Sequence, residues 1–322
     1  MSSTIVPQST ERVAAPTRRM EPRLWLVLTA FAAVYVIWGS TYFAIHLAIE
    51  SIPPFLMAGT RFLAAGLLLY AVMRARGEAR PEPVHWRDAT IIGGLLLLVG
   101  NGGVSWAQQT VPSGVAALMV GATPLWINLI EWVRPGGQRP QAAVFGGIAL
   151  GFLGVLLLVS SKDQLGNSVV DPWGGAVLLI APLCWGAGSV FSRHARQPAA
   201  ALLAIAMQMI AGGVLLLVAA AITGEFRDFN PAHVTLSSTL AFVYLTLIGS
   251  LVGFTAYVWL LQVSTPARVS TYAFVNPFIA VLLGWLFLRE PISSGVITAG
   301  GLIIAAVALI TTTRSAKRPQ SP

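Results

Sequence analysis

The chain has 322 residues, of which 56% are hydrophobic and only 10% are charged, and its mean hydropathy is +0.75. Soluble domains carry about 25% charged residues, so this chain cannot cover a water-facing surface, and a soluble enzyme is excluded. A membrane-spanning helix needs about 20 apolar residues, so ten such helices would use about 200 residues and leave only short loops and tails. The single cysteine, Cys184, excludes an intramolecular disulfide.

Ten apolar segments follow one another along the chain, each bounded by charges, prolines or turn residues. The third and fourth segments almost touch, as do the eighth and ninth, so each of these pairs is predicted to form a tight helical hairpin. We predict membrane helices at 24–46, 53–73, 88–108, 112–133, 141–160, 172–193, 199–222, 237–262, 266–288 and 293–312.

The basic residues are distributed unevenly over the predicted loops. If both termini lie in the cytoplasm, sixteen of the twenty lysines and arginines face it. This bias follows the positive-inside rule and explains the net charge of +8 without invoking nucleic acid. We predict a multi-pass protein of the bacterial inner membrane, in which residues 1–23 form a disordered cytoplasmic tail and residues 313–322 a basic cytoplasmic tail.

The chain consists of two related halves, residues 24–160 and 172–312. A Trp-Gly pair at 38–39 in the first helix recurs at 185–186 in the sixth. Five spans per half is an odd number, so the second copy must enter the membrane upside down, as in secondary transporters whose substrates bind near the midplane. We predict an all-α membrane protein with ten helices in two inverted five-helix repeats around a central cavity. The alternative is a duplication that serves packing alone.

Several short motifs resemble those of a known family. Each half has Trp-Gly in its first helix and a proline in its fourth, the second helix contains Arg-Phe-Leu-Ala-Ala-Gly at 61–66, and Leu-Arg-Glu-Pro at 288–291 is similar to a Leu-x-Glu signature before the last helix. The chain resembles the EamA-type ten-helix exporters of the drug/metabolite transporter superfamily, most of all the YddG-type bacterial amino-acid exporters. The resemblance covers about residues 24–312 and implies export of aromatic and other neutral amino acids from the cytoplasm.

The predicted spans lack several kinds of functional group. No Asp or Glu lies near the centre of a span, which argues against a polycation pump and against a carboxylate proton relay. Paired acids, a Ser/His arrangement and metal-ligand spacing are also missing at membrane depth, so we expect no enzyme activity, no metal and no cofactor. Because there is no Gly-x-x-x-x-Gly-Lys loop, we expect transport without ATP.

Aromatic and neutral polar side chains at mid-depth are the candidates for substrate binding. A tryptophan beside a glycine offers a flat apolar wall, and side-chain amides and hydroxyls could hold a zwitterion. Arg61 could attract a substrate carboxylate, or it could be a structural residue that snorkels outward. For the other residues the alternative is packing between helices. The candidate substrate-binding residues are Trp38, Tyr42, Arg61, Asn101, Thr123, Trp185, Ser189, Tyr257, Tyr272 and Asn276.

Prolines and glycines interrupt the two predicted hairpins at matching places. A proline inside a helix removes a backbone hydrogen bond, which lipid tolerates only where the freed carbonyl faces protein or water. We expect the hairpins to be the moving parts, and the alternative is static kinks. The hinge or gate candidates are Gly100, Gly103, Pro124, Gly253 and Pro277.

The residues and the resemblance together predict a secondary transporter that exports amino acids by alternating access. Its expected partners are a small-molecule substrate and the lipid bilayer, and because ten helices offer enough internal contacts we expect a monomer. One alternative is an exporter of other small metabolites or drug-like solutes. The other is a membrane protein without transport activity, which would need a deep catalytic cluster or an exposed partner surface.

Overall fold

The structure is a computed structural model that describes residues 23–135, 141–160, 171–264, 269 and 271–315. Within these ranges every regular element is helical. The predicted cytoplasmic tails fall almost entirely outside the described residues.

Ten principal helices, numbered α1 to α10 in chain order, account for nearly all of the described residues. Seven of these helices are long and apolar enough to cross a membrane, and the other three, α5, α9 and α10, contain shorter apolar stretches at Ala142–Leu157, Val275–Leu288 and Ser294–Ile310. A short helix at Glu225–Asp228 and a single turn at Pro231–His233 connect α7 to α8. The ten helices are α1 Leu24–Ile49, α2 Pro54–Ala75, α3 Pro83–Ala107, α4 Ser113–Val133, α5 Ala142–Ser160, α6 Pro172–Ser192, α7 Ala201–Ile222, α8 (Leu236–Tyr244, Leu245–Val252 and Gly253–Val263), α9 Tyr272–Leu288 and α10 Ser294–Ser315.

The predicted spans coincide with these helices to within a few residues, with two larger differences. The third helix begins at Pro83 instead of 88, because Glu82 and His85 form a capping box that stabilises an additional turn. The ninth helix, expected from 266, is described only from Tyr272, since most of the preceding residues lie outside the described ranges.

Three of the four hairpin helices depart from regular α-helical geometry. In α3 the backbone widens to a π-helix over Gly94–Gly102, and in α8 it does so over Leu245–Val252. The fourth helix is interrupted at Ala122, one turn after Met119 and just before Pro124. By contrast, α9 continues without a break through Pro277. The irregular backbone is therefore concentrated in the two predicted hairpins.

The second repeat is inverted relative to the first, as the contacts between corresponding helices show. In α2, Gly59 lies against Leu217 of α7, whereas Gly66, seven residues later, lies against Ile210. Contacts that advance along one helix and recede along the other define an antiparallel pair. Helices α5 and α10 behave in the same way, because Gly147 faces Ile310 while Gly154 faces Ile303.

The packing pattern is unchanged when the two halves are exchanged. Helix α1 packs on α8 and α9 of the second repeat, and its counterpart α6 packs on α3 and α4 of the first. Helices α4 and α9 pack on each other, as do α2 with α7 and α5 with α10. The predicted two-repeat helical membrane fold is confirmed.

The connections lie at two opposite ends of the helix bundle, which we name by their charged residues. The glutamate end holds the α1–α2, α3–α4, α7–α8 and α9–α10 connections and includes Glu225 and Glu290. The arginine end holds the α2–α3 and α6–α7 connections and includes Arg87 and Arg193. The charge distribution of the sequence predicts that the arginine end faces the cytoplasm.

Candidate substrate-binding region

Three of the predicted aromatic residues form one cluster between α1, α8 and α9. The Trp38 ring lies 5.0 Å from the ring of Tyr257 and 5.1 Å from that of Tyr272, centroid to centroid. Tyr257 and Tyr272 meet each other at 6.0 Å. Phe254, which the sequence analysis missed, completes the cluster at 5.3 Å from Trp38 and packs on it edge to face. The only sequence signal for Phe254 is its position one turn before Tyr257 on the same helix face.

Asn276 lies beside this cluster and joins α9 to α1. It is 8% exposed, and in the amide orientation that satisfies both partners its nitrogen donates to the Tyr272 carbonyl at 3.1 Å and to the Tyr35 carbonyl at 3.3 Å. Tyr35 and Thr271 share a hydrogen bond of 2.5 Å between their hydroxyl groups. The predicted Asn276 therefore lies next to the aromatic rings, with its amide nitrogen already bonded to backbone.

Both repeated Trp-Gly pairs have the same structural role. The Trp38 indole lies against Gly253 of α8, and the Trp185 indole lies against Gly100 of α3. The glycines that follow the two tryptophans contact the other hairpin helix, Gly39 at α9 and Gly186 at α4. Each repeat thus places its tryptophan on the π-containing helix of the other repeat.

The hydroxyl groups of Ser189 and Thr123 bond within their own helices. Ser189 donates to the Trp185 carbonyl at 2.7 Å, and Thr123 donates to the Val120 carbonyl at 2.6 Å, beside the break in α4. Tyr42 is half-buried and packs against the core cluster around α4, α5 and α10. The structure does not bring these three residues into ring contact with the Trp38 cluster.

Arg61, which is buried, and Asn101, which is half-buried, form a separate pair between α2 and α3. The Arg61 Nη2 atom donates to Asn101 Oδ1 at 2.6 Å, and the guanidinium carbon lies 4.2 Å from the centre of the Phe62 ring. Arg61 is 3% exposed, and its Nε atom has no hydrogen-bond partner. Phe62 packs in the same apolar cluster as Phe254, which connects this pair to the aromatic cluster.

The predicted hinge residues lie at the irregular parts of the helices, with one exception. Gly100 lies inside the π-helical stretch of α3, while Gly103 and Gly253 are the first residues after the two stretches. Pro124 directly follows the interruption in α4. Pro277, by contrast, lies within the uninterrupted α9, where Gly121 of α4 packs against its ring.

Glu290 binds the start of α4 at the glutamate end. Its two carboxylate oxygens accept hydrogen bonds from the backbone N–H groups of Ser113, at 2.6 Å, and Gly114, at 3.0 Å. Arg289, at a left-handed φ of 56°, turns the chain back so that the Glu290 carboxylate reaches α4. The carboxylate occupies the space that a side chain at Gly284 would fill. A carboxylate at a helix N-terminus is favourable because it satisfies free N–H groups and opposes the helix dipole.

Glu225 makes the same kind of contact with α2. It accepts from the N–H groups of Phe55 at 3.2 Å and Leu56 at 2.7 Å. Burial raises the pKa of the Glu225 carboxyl group above its usual value, although the two backbone hydrogen bonds act in the opposite direction. Both glutamates belong to the second repeat and cap helices of the first, a role that the sequence analysis missed because the caps join residues distant in sequence.

The arginine end is joined by side chains that are more exposed. Arg193, directly after α6, forms an ion pair with Glu131 of α4 at 3.0 Å, and the two side chains are 53% and 19% exposed. Asp88 of α3, which is buried, accepts from the backbone N–H of Arg196 at 2.7 Å. These contacts also link one repeat to the other.

Two cavities lie outside the aromatic cluster. One, of about 330 Å³, is an apolar crevice between α2, α3, α6 and α7 that includes Gly103, Val177 and Ile222 in its lining. The other, of about 550 Å³, lies at the glutamate end among Trp106, Asp171 and Trp173. Among the described residues no group of three or more His, Cys, Asp or Glu side chains could hold a metal ion.

Ten apolar helices in two inverted repeats, with paired irregular helices next to a half-buried aromatic cluster, define a membrane transporter. The chain belongs to the EamA-like transporter family, whose pattern it matches over residues 24–160 and 172–312.

Relatives over most of the chain agree with this family. The chain is 42% identical to the uncharacterized inner membrane transporter YedA of Escherichia coli K12, over 88% of this chain and 89% of that protein. It is 28% identical to protein PecM of Dickeya dadantii, over 85% and 88%, and 27% identical to a probable amino-acid metabolite efflux pump of E. coli K12, over 80% and 85%. A crystal structure with 24% identity superposes with a TM-score of 0.60 and covers 93% of this chain and all of the other, which supports the fold.

Proposed function

We propose that this transporter exports amino acids with aromatic or other neutral side chains across the bacterial inner membrane by alternating access. The observation that carries the proposal is the cluster of Trp38, Tyr257 and Tyr272 at ring distances of 5.0 to 6.0 Å. An aromatic or apolar solute side chain would replace one of these ring contacts with a similar contact of its own. The similarity to a probable amino-acid metabolite efflux pump supports this substrate class.

Polar groups near the rings would hold the main-chain charges of the amino acid. Asn276 carries an amide oxygen that can accept from an ammonium group while its nitrogen stays bonded to backbone. We assign the same supporting role to Ser189, which bonds to the Trp185 carbonyl, and to Thr123 and Tyr42. Transport proceeds with both termini in the cytoplasm, and the two hairpins open alternately around the glycine and proline hinges.

The test is flux of labelled amino acids in liposomes that contain the purified protein, compared with empty liposomes. A ring contact contributes about 1 kcal/mol beyond its buried area, and 1.4 kcal/mol corresponds to about tenfold in affinity. We therefore expect Trp38→Ala to raise the half-saturating concentration of phenylalanine about tenfold. Trp38→Phe should bring this concentration most of the way back to the wild-type value. The matched control is Trp285→Ala, since Trp285 is 52% exposed on the outside of α9.

The competing candidate is an exporter of small drug-like solutes, which the neutral and apolar character of the ring cluster also favours. A panel that includes flat neutral organic compounds besides amino acids separates the two functions. Flux of those compounds with no amino-acid flux above empty liposomes would replace the amino-acid proposal.

A further inference from the structure

Arg61 is a buried positive charge without a counter-charge in the described part of the chain. It is 3% exposed in the middle of α2, and none of the ion pairs among the described residues involves it. Placing an unpaired ion in an apolar interior is energetically unfavourable. The protein therefore carries a charge that no ion pair among its described residues balances.

The contacts that Arg61 does make are neutral and incomplete. Asn101 Oδ1 accepts one hydrogen bond at 2.6 Å, and the Phe62 ring faces the guanidinium at 4.2 Å. The Arg61 Nε atom is buried without a partner. The Asn101 amide nitrogen donates to no described residue, and it lies on the same amide as the oxygen that Arg61 contacts. The two side chains that this hydrogen bond joins thus each carry a donor without an acceptor among the described residues.

Neither snorkelling nor helix packing explains this arrangement. A snorkelling arginine extends to the membrane surface and exposes its guanidinium, whereas Arg61 bonds sideways to α3 and stays buried. The equivalent position in the second repeat is the neutral Gln208, which donates to Gln197 at 3.2 Å. Since α2 and α7 pack as an inverted pair with a charge on only one side, packing alone does not require the charge.

We propose that the buried Arg61 and the half-buried Asn101 form a site for one small monovalent anion, either the carboxylate of the transported solute or a halide ion from water. A donor on each side chain and one positive charge suit a single negative charge. The carboxylate source rests on the proposed function, and the halide source does not depend on it.

The experiment measures thermal unfolding of the full chain in detergent, at matched ionic strength, in chloride, in acetate or in a bulky sulfonate salt. We expect a saturable rise in Tm with chloride, with acetate, or with both, and no rise with the sulfonate. A response to chloride alone assigns a halide site, whereas a response to acetate assigns a carboxylate site. An identical Tm in all three salts overturns the proposal.

Two variants test the same site without a transport assay. Asn101→Asp supplies an internal carboxylate, so we expect its Tm in sulfonate to exceed that of the wild type and to lose the anion response. Arg61→Gln introduces the residue type of the second repeat, and we expect it to raise the anion concentration that gives half of the Tm rise by at least tenfold. Arg193→Gln, at an exposed arginine, should keep the wild-type response. If Arg61→Gln fails to fold, Asn101→Asp still decides, because an anion response equal to that of the wild type would refute the site. Absence of amino-acid flux alongside a chloride response would refute the proposed substrate and leave the anion site standing.

Discussion

The indole of Trp38 lies so close to Gly253 that a Cβ atom added at this glycine would be 2.6 Å from the indole nitrogen. Trp185 and Gly100 form the corresponding pair, in which an added Cβ would be 2.9 Å from the ring. Each contact joins the first helix of one repeat to the third helix of the other. The recurring Trp-Gly sequence therefore marks two equivalent contacts between the repeats, one of which, at Trp38, lies in the candidate site.

Gly253→Ala should displace the Trp38 indole and disturb the aromatic cluster. Overpacking of this kind costs about 1–3 kcal/mol of stability. We expect a lower Tm in detergent. In liposomes we expect a higher half-saturating concentration of aromatic amino acids. The matched control is Gly146→Ala, where an added Cβ meets nothing within 4 Å. Equal Tm values for the two variants would show that the Trp38 contact is not tight.

Gly66→Ala should weaken the pairing of α2 with α7. Its Cβ would lie 2.8 Å from the Ile210 backbone nitrogen and 3.0 Å from the Ala206 carbonyl oxygen, and backbone atoms cannot rotate away. Helices in lipid associate through such close small-residue contacts, so we expect a loss of about 1–3 kcal/mol. Gly94→Ala is the control, because its nearest atom would be at an ordinary 3.5 Å. The measurement is Tm by tryptophan fluorescence, and a smaller loss in Gly66→Ala than in the control would contradict the packing described.

Glu290→Ala should loosen the α9–α10 connection from the start of α4. The change leaves the N–H groups of Ser113 and Gly114 without their acceptor, which costs about 1–2 kcal/mol for a helix cap. Glu290→Gln keeps an acceptor but loses the charge, so we expect an intermediate Tm. The control is Glu50→Ala, at an exposed glutamate of the same end. The order wild type, Gln, Ala in Tm is the diagnostic result.

The raised pKa of Glu225 predicts a pH dependence of stability. Since its pKa in the folded protein lies above the ordinary value of 4.5, the stability that this group contributes is present below pH 4.5 and is lost as the pH rises through the folded-state pKa. We expect the Tm of the wild type to fall relative to that of Glu225→Gln as the pH increases from about 4.5. A Tm difference that instead grows in favour of the wild type would show that the two backbone hydrogen bonds outweigh burial.

The helices and the inverted repeats could be predicted because both depend on patterns that are local in the sequence. Long apolar segments fix the helices, and an odd number of spans per repeat fixes the inversion. The repetition of the Trp-Gly pair was also visible in the sequence. In the structure the two tryptophans have equivalent neighbours, Gly253 and Gly100.

The composition of the candidate site could be predicted only in part. Trp38, Tyr257, Tyr272 and Asn276 come together, and Arg61 pairs with Asn101, but hydropathy gives no information on which face of a helix meets which neighbour. Thr123 and Ser189 bond to carbonyls of their own helices, which is a local option open to any buried hydroxyl. The Glu225 and Glu290 caps link residues more than 160 positions apart, so no local sequence pattern predicts them.

The π-helical stretches of α3 and α8 offer a way to move the hairpins without melting them. A π-helical turn accommodates one residue more than an α-helical turn, and an α-helix advances by about 100° per residue. If a π-helical stretch tightened to α-helical geometry, the rest of the helix would therefore rotate about its own axis by about 100°. In α8 this rotation would carry Phe254 and Tyr257 away from Trp38, so the aromatic wall would open while every helix stayed intact.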